Sequence, residues 1–537
     1  MQTIERIYRY LFDPARGSSD HFLARWLFLR ALGLIYFSAF YALLFQIRGL
    51  MGPHGILPAA EYLKAVSQLG VVRFWYAPTL LWFSANDSML MTLCWTGVIA
   101  SVVLVVNIWP RMMLLVCFCC FLSFVGAAQD FSGYQSDGML LEAGFLSLFL
   151  APSGFLPGLG RKQPAVRAAM FLLLWEWFRI YFESGVVKLE SGDPTWRNLT
   201  ALYEYYQNGP LPTWIGWYVA HLPNWFHVAT AGATLAMELG LVWLSFLPRR
   251  WKIVCFFVVT AWQLGVIATA NYAFLNYLVL ALAVLLLDDR FLRRSLPRRW
   301  QTEVDRGACA REPERDSFDN EEYPTARLPW WNPLRSATFA FVLTWIFYAT
   351  AVPLIQMFWR ASPLPTAPIA ALDPLRIANQ YGLFAVMTPH RYEVEFQGSD
   401  DGEHWVAYPF RYKPQGPRER PGIYAPYQPR FDWNLWFASL GEWRQYPFVL
   451  RTEELLLEND PAVLRLFKDN PFPNAPPRLV RAVLWQYWFS TLEEKRTEGV
   501  WWRRQVVGAY TPTIARLPNG SFGIVDGGAS LRDSPSP

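Results

Sequence analysis

Over its first two-thirds the chain alternates long apolar runs with short polar breaks, many of them arginine-bearing. That pattern is lost after about Pro363. A helix crossing ~30 Å of hydrocarbon needs roughly 20 mostly apolar residues. Runs approaching that length lie at Phe22 to Ile47, Ser88 to Ile108 and Met112 to Ala128, with a shorter one at Met139 to Ala151. Further runs follow at Val166 to Val187, Val228 to Leu247, Ile253 to Ala270, Tyr272 to Leu287 and Ser336 to Trp359. The pattern predicts about nine spans. "VVRFWYAPTLLWF" (Val71 to Phe83) is too short and too rich in Trp and Tyr to span, and reads as interfacial or re-entrant.

Beyond the last run the periodicity changes. "RYEVEFQG" and "HWVAYPFRY", separated by "SDDGE", alternate as strands do and predict a hairpin. "LVRAVLWQYWFS" and "VWWRRQVVGAY" predict a second strand pair, and "TEELLLENDPAVLRLF" a helix broken at Pro461. "FDWNLWFASLGEW" is aromatic enough to lie on the outer membrane surface. Trp433, Trp436 and Trp443 are therefore candidates for client or membrane contact, with core packing the competing use. The fold class is a polytopic α-helical membrane bundle followed by a small β-rich (α+β) extracytoplasmic domain. Its expected parts are a multi-pass domain (1–300), a charged cytoplasmic linker (301–335), a last transmembrane helix (336–360), the β-rich domain (361–515) and a disordered tail (516–537).

Charge orients the spans. With Arg6, Arg9 and Arg16 in the cytoplasm, alternation puts Arg111, the Arg161/Lys162/Arg167 loop, Arg249/Arg250/Lys252 and the Arg290 to Arg299 cluster on the same side. The other side receives "AQDFSGYQSDG", the turn near Asn271 and the Lys188 to His227 loop, which carries only Lys188 and Arg197. This follows the positive-inside tendency and leaves everything after Trp359 outside the cytoplasm. Composition agrees, with 53% apolar and 17% aromatic residues. The net charge of +5 is too small and dispersed for a nucleic-acid partner. The N-terminus has no apolar h-region of a cleavable signal peptide. Of the six cysteines, five lie in apolar runs and none follows Cys309, which excludes a C-terminal disulfide framework or thiol relay.

Ionisable groups in hydrocarbon are rare and face the bundle interior. Glu176, Arg179 and Glu183 are spaced by three and four, and so share one helix face. With Glu142 and Glu238 they predict an intramembrane polar centre, and the bland reading is a structural ion pair. In "ESGVVKLESGDPTW", Lys188 is either a snorkelling anchor or, if desolvated, a candidate general base, oriented by Glu183, Asp137 or Asp193. "SGDP" predicts a turn and a fresh helix cap just after it. His221 and His227 lack a third partner for a metal.

The motifs "YQSDGMLLEAGFLSLFLAP", "FESGVVKLESGDPTWRNLTALYEYYQNGPLPTWIGWYVAHLPNWFH", "NYAFLNYL" and "LLDD" resemble those of the lipase maturation factor family. So do "NQYGLFAVMT", "EVEFQGSDDGEHWVAYPFRYKP", "PYQPRFDWNLWFASLG" and "NPFPNAPPRLVRA", so that the resemblance runs from about Gly52 to Tyr510. It implies a membrane protein that helps secreted clients mature, lipases in animals, where the family acts in the endoplasmic reticulum. It also implies a luminal C-terminal domain, periplasmic if the membrane is bacterial; the compact arginine-rich chain looks bacterial, which points to an inner membrane. "GPHGILPA" and "GVVKL" are also similar to pieces of the vitamin K-dependent carboxylase membrane domain. That similarity implies Lys188 as base on a quinone-like lipid, although the carboxylase's Asn-Asn-His stretch is replaced here by "SGYQSDG".

The leading expectation is a non-enzymatic maturation factor that binds membrane lipids and a secreted, lipase-like client. The alternatives are an intramembrane enzyme using Lys188 and, third, a transporter, which loses because no inverted repeat is visible.

Overall fold

The computed structural model describes residues 20–294 and 331–525, with Tyr8, Tyr10 to Phe12 and Gln301. Most of the expected linker, Cys309 and the last twelve positions lie outside the described residues. Every apolar run forms a helix: α1 (Phe22–Met51), α2 (Asp87–Val105), α3 (Pro110–Val125), α4 (Gln135–Leu150), α5 (Arg167–Glu190), α6 (Asn224–Leu239), α7 (Arg249–Thr269), α8 (Leu275–Ala283) and α9 (Trp331–Phe358). Local signals set their ends. The Asn86 side chain accepts from Met89 N–H at the start of α2, and Pro110 opens α3 where a missing N–H costs nothing.

Among the described residues, five helical stretches are long and apolar enough to cross a membrane: Phe22–Met51, Asp87–Val105, Asn224–Phe246, Arg249–Thr269 and Leu334–Phe358. The other four runs fall short for separate reasons. α3 and α4 have 16 residues each. α8 has nine and tightens into a 3-10 turn at Val284–Leu286. α5 is long but buries Glu176, Arg179, Glu183 and Lys188. The helices approach closely where small residues meet bulky ones. A Cβ on Gly97 of α2 would sit 2.5 Å from the Phe40 ring of α1, so only glycine fits.

The C-terminal part is built on a six-stranded antiparallel sheet: β1 (Arg391–Ser399), β2 (Val406–Ala407), β3 (Leu479–Phe489), β4 (Trp502–Ala509), β5 (Ile514–Arg516) and β6 (Phe522–Ile524). β3 is central. It pairs with the whole of β1, from Leu479 opposite Ser399 to Tyr487 opposite Arg391, and on its other edge with β4 and β5. The expected β3–β4 pair is present, whereas the expected hairpin shrinks to two residues, Val406–Ala407, and β1 gives its other edge to β3. β5 and β6 correct the expected disordered tail: Ile514 pairs with Ile524 and Arg516 with Phe522 across the "LPNGS" turn. One face of the sheet packs on α10 (Arg430–Ala438) and α11 (Pro447–Leu457), with Phe396 stacked on Phe431. The apolar core is continuous from the bundle into α10 and α11.

Candidate functional site

Glu176, Arg179 and Glu183 share one face of α5, as their spacing requires, and all three are fully buried. The Arg179 guanidinium donates to Glu142 of α4 and lies 4.0 Å from Glu183. The remaining partners come from the C-terminal part. Residues 376–388 descend against α4 and α5, and there Asn379 donates to Glu142 through its backbone N–H (2.9 Å) and its side chain (3.1 Å). The Tyr381 hydroxyl donates to the same carboxylate at 2.9 Å, and the Tyr381 N–H to Glu183 at 2.7 Å. The Arg179 guanidinium also donates to the Asn379 carbonyl. The polar centre is thus closed by a loop that follows the last helix. Glu176 stands apart, with neither carboxylate oxygen hydrogen-bonded.

Two further contacts bolt the same interface. Arg430, the first residue of α10, makes a two-pronged ion pair with Asp137 of α4, both bonds at 2.7 Å, and donates to the Phe131 carbonyl. A buried guanidinium–carboxylate fork is worth keeping only when its other donors and acceptors are also met. The loop before α10, Tyr424 to Gln428, reaches between α1 and α8. Asn271 accepts there from Tyr424 and Ala425 N–H, Gln46 donates to the Gln428 carbonyl, and Tyr277 donates to the Ala425 carbonyl.

Lys188 occupies a separate site in the last turn of α5. Its Nζ donates to both carboxylate oxygens of Glu238 on α6 (2.9 Å each), with the Leu383 carbonyl at 3.0 Å and that of Ser184 at 3.3 Å. α5 and α6 come this close because Gly185 faces Glu238, whose Cβ would lie 2.9 Å from a Cβ at position 185. The pair forms one wall of a cavity of about 440 Å³ bounded by α5, α6, α7 and α8. Asp193 caps the next short helix, accepting from Thr195 and Met387 N–H. Burial raises its carboxyl, and those hydrogen bonds outweigh it and leave the net value below the ordinary range.

Two family models match the chain, the lipase maturation factor transmembrane domain over residues 23–294 and the lipase maturation factor C-terminal domain over residues 377–512. The chain belongs to the lipase maturation factor family. It is 31% identical to human lipase maturation factor 2, covering 92% of this chain and 83% of that protein. It is also 31% identical to bovine lipase maturation factor 1, covering 94% and 91%. No solved structure matches it.

Within this family member the sequence-derived sites are regrouped. Glu238 does not join the polar centre, because Lys188 holds it instead. Glu183, Asp137 and Asp193 do not orient Lys188, since each is taken by Tyr381, Arg430 or a helix cap. Lys188 is ringed by four acceptors, two of them the oxygens of Glu238. Trp433 is buried, in edge-to-face contact with Tyr134, and so is not a contact surface. Trp436 is half-buried and donates to the Asn208 carbonyl, and Trp443 is half-buried against the core. His221 and His227 bond backbone carbonyls, and among the described residues no group of acidic, His or Cys side chains is placed to hold a metal. Sequence reading missed Asn379, Tyr381 and Arg430. The available signal was an excess of carboxylates on α4 and α5, Asp137, Glu142, Glu176 and Glu183, over the one arginine, Arg179, placed among them.

Proposed function

We propose that this chain is a membrane-embedded maturation factor that assists folding or assembly of secreted proteins, lipase-type clients among them. In this reading the bundle has nine spans with a cytoplasmic N-terminus, and its C-terminal sheet meets the client outside the cytoplasm. The carrying observation is the family membership over both parts of the chain. The sheet's exposure supports the placing of the client. The start of β4 packs on Trp217, while further along the strand Val506, opposite Trp485, and Val507 are each 54% exposed. An edge strand with exposed apolar side chains is a surface on which an extended, unfolded segment can add a strand. A photo-crosslinking residue at Val506, in cells co-expressing a secreted lipase, should capture that lipase before it acquires activity. Capture of only folded, active lipase, or unchanged lipase activity in cells lacking the factor, overturns the reading.

A second reading, an intramembrane enzyme with Lys188 as base on a quinone-like lipid, draws on the position of Lys188 in a cavity wall. The two separate cleanly, because a base cannot be replaced by an apolar side chain while a structural ion pair, removed whole, can.

A further inference from the structure

The cavity beside Lys188 has a composition that the maturation reading does not use. Its surface is overwhelmingly apolar, built from side chains such as Ile180, Val266 and Val279. Apart from Ser and Thr hydroxyls that bond carbonyls of their own helices, the polar groups are the Lys188–Glu238 pair, the chain Tyr181–Gln263–Asn276, and the phenols of Tyr205, Tyr206 and Tyr272. Tyr181 donates to Gln263 at 2.8 Å, and Gln263 donates to Asn276 at 2.6 Å. The Tyr272 hydroxyl is buried and has no hydrogen-bond partner, although such a group costs about 1–3 kcal/mol to leave unmet.

The cavity is bounded by α6 and α7, which with α9 present the most surface outward among the five long apolar helices. Only 28% and 17% of their spanning windows are buried. On α7 the lining positions Ala261 and Gly265 are one turn apart and exposed, and a Cβ at Gly265 would meet nothing within 4 Å. Small residues there leave the wall open towards the membrane. An opening of this kind admits molecules already dissolved in the bilayer.

We propose that this cavity binds one single-chain acyl lipid with an uncharged head that carries both hydroxyl and carbonyl groups, as a monoacylglycerol does. The volume, about 440 Å³, falls in the ~300–1,000 Å³ range that encloses one small ligand. It suits one chain rather than the two of a phospholipid. The head chemistry follows from the pairing of donor and acceptor at the polar end. The Lys188 protons are already taken by Glu238 and by the Leu383 and Ser184 carbonyls, so the Tyr272 hydroxyl is the donor left for a carbonyl, while Glu238, with lone pairs still free beside Lys188, takes a proton from a hydroxyl. A carboxylate or phosphate head would face the Glu238 charge, and a head with acceptors alone would leave Glu238 unused.

The test is lipid extraction and mass spectrometry of the purified full-length protein, compared with Gly265→Trp and Ala261→Trp variants that block the mouth. The expected result is about one monoacyl lipid per wild-type chain, reduced at least tenfold in either variant, with annular two-chain phospholipid unchanged. Delipidated wild-type protein should regain the ligand from micelles of a brominated monoacylglycerol, read as quenching of Trp196 and Trp262 on the cavity wall. A blocked variant that elutes as a folded monodisperse species should show at least tenfold less quenching. Equal monoacyl lipid in wild type and blocked variants overturns the proposal. So does a quinone or a two-chain phospholipid as the retained ligand, or failure of the brominated lipid to quench.

Discussion

Arg430 lies 293 residues along the chain from Asp137, yet the two meet in a buried fork of 2.7 Å hydrogen bonds at the seam between bundle and sheet. Removing one partner of such a pair strands the other charge, at a cost of about 3–5 kcal/mol, whereas removing both together can be nearly neutral. Arg430→Met should therefore lower the unfolding midpoint in detergent markedly. The double variant Arg430→Met, Asp137→Leu should recover most of the loss in a double-mutant cycle. Additive losses would show that the pair is not coupled.

At the polar centre the ranking is set by what is left unpaired. Tyr381→Phe removes one hydrogen bond to a charged carboxylate, worth about 1.5–3 kcal/mol. Arg179→Met leaves both Glu142 and Glu183 without their cation and should cost more. Limited proteolysis of the C-terminal part reports the order directly. It should be cut faster in Tyr381→Phe than in wild type, and fastest in Arg179→Met.

Lys188 permits a decisive substitution. If the Lys188–Glu238 pair is structural, the double variant Lys188→Met, Glu238→Leu folds and sustains client maturation, while Lys188→Met alone, with Glu238 stranded, is poorly expressed. Loss of function in a well-folded double variant, joined to loss in Lys188→Arg, would instead favour the enzyme reading.

Asp432 gives the C-terminal part a pH signature. Burial pushes its carboxyl up to about 6, against hydrogen bonds from Lys413 and Tyr412 N–H that favour the ionised form. The folded value exceeds the unfolded one, so the native state binds the proton more tightly. This group's contribution to stability grows as pH falls from about 7 towards 4 and is lost as pH rises through 6. Its span is up to about 3 kcal/mol. The unfolding midpoint of wild type relative to Asp432→Asn should therefore fall between pH 4 and pH 7.5; a flat difference would refute the assignment.

How much of this was legible beforehand differs by scale. Nine apolar runs gave nine helices, because a continuous apolar stretch in lipid must satisfy its backbone hydrogen bonds within itself. The β3–β4 pair was equally readable from alternation, and the hairpin in part. The tail strand Phe522–Ile524 was not: three residues carry too little pattern to outweigh a Gly- and Ser-rich context. Among charges, local spacing revealed the shared face of Glu176, Arg179 and Glu183. It could not reveal that Glu238 belongs to Lys188 or that Arg430 belongs to Asp137, since no periodicity links residues 50 or 293 positions apart. The aromatic run around Trp433 was ambiguous for a related reason. Tryptophan at a membrane surface and tryptophan in a core look alike until the neighbours are known.

The loop carrying Asn379 has a consequence for biosynthesis. Glu142 enters the membrane 237 residues before Asn379 exists. At roughly 5–20 residues per second, α4 and α5 wait on the order of 10–50 s with that charge only partly answered. The nascent bundle therefore passes through a stage in which it holds buried charge and an open seam. It is finished only when the last third of the chain has been made and has folded back onto α4 and α5. A factor that helps other proteins mature is, on this geometry, a slow-maturing client of the membrane itself.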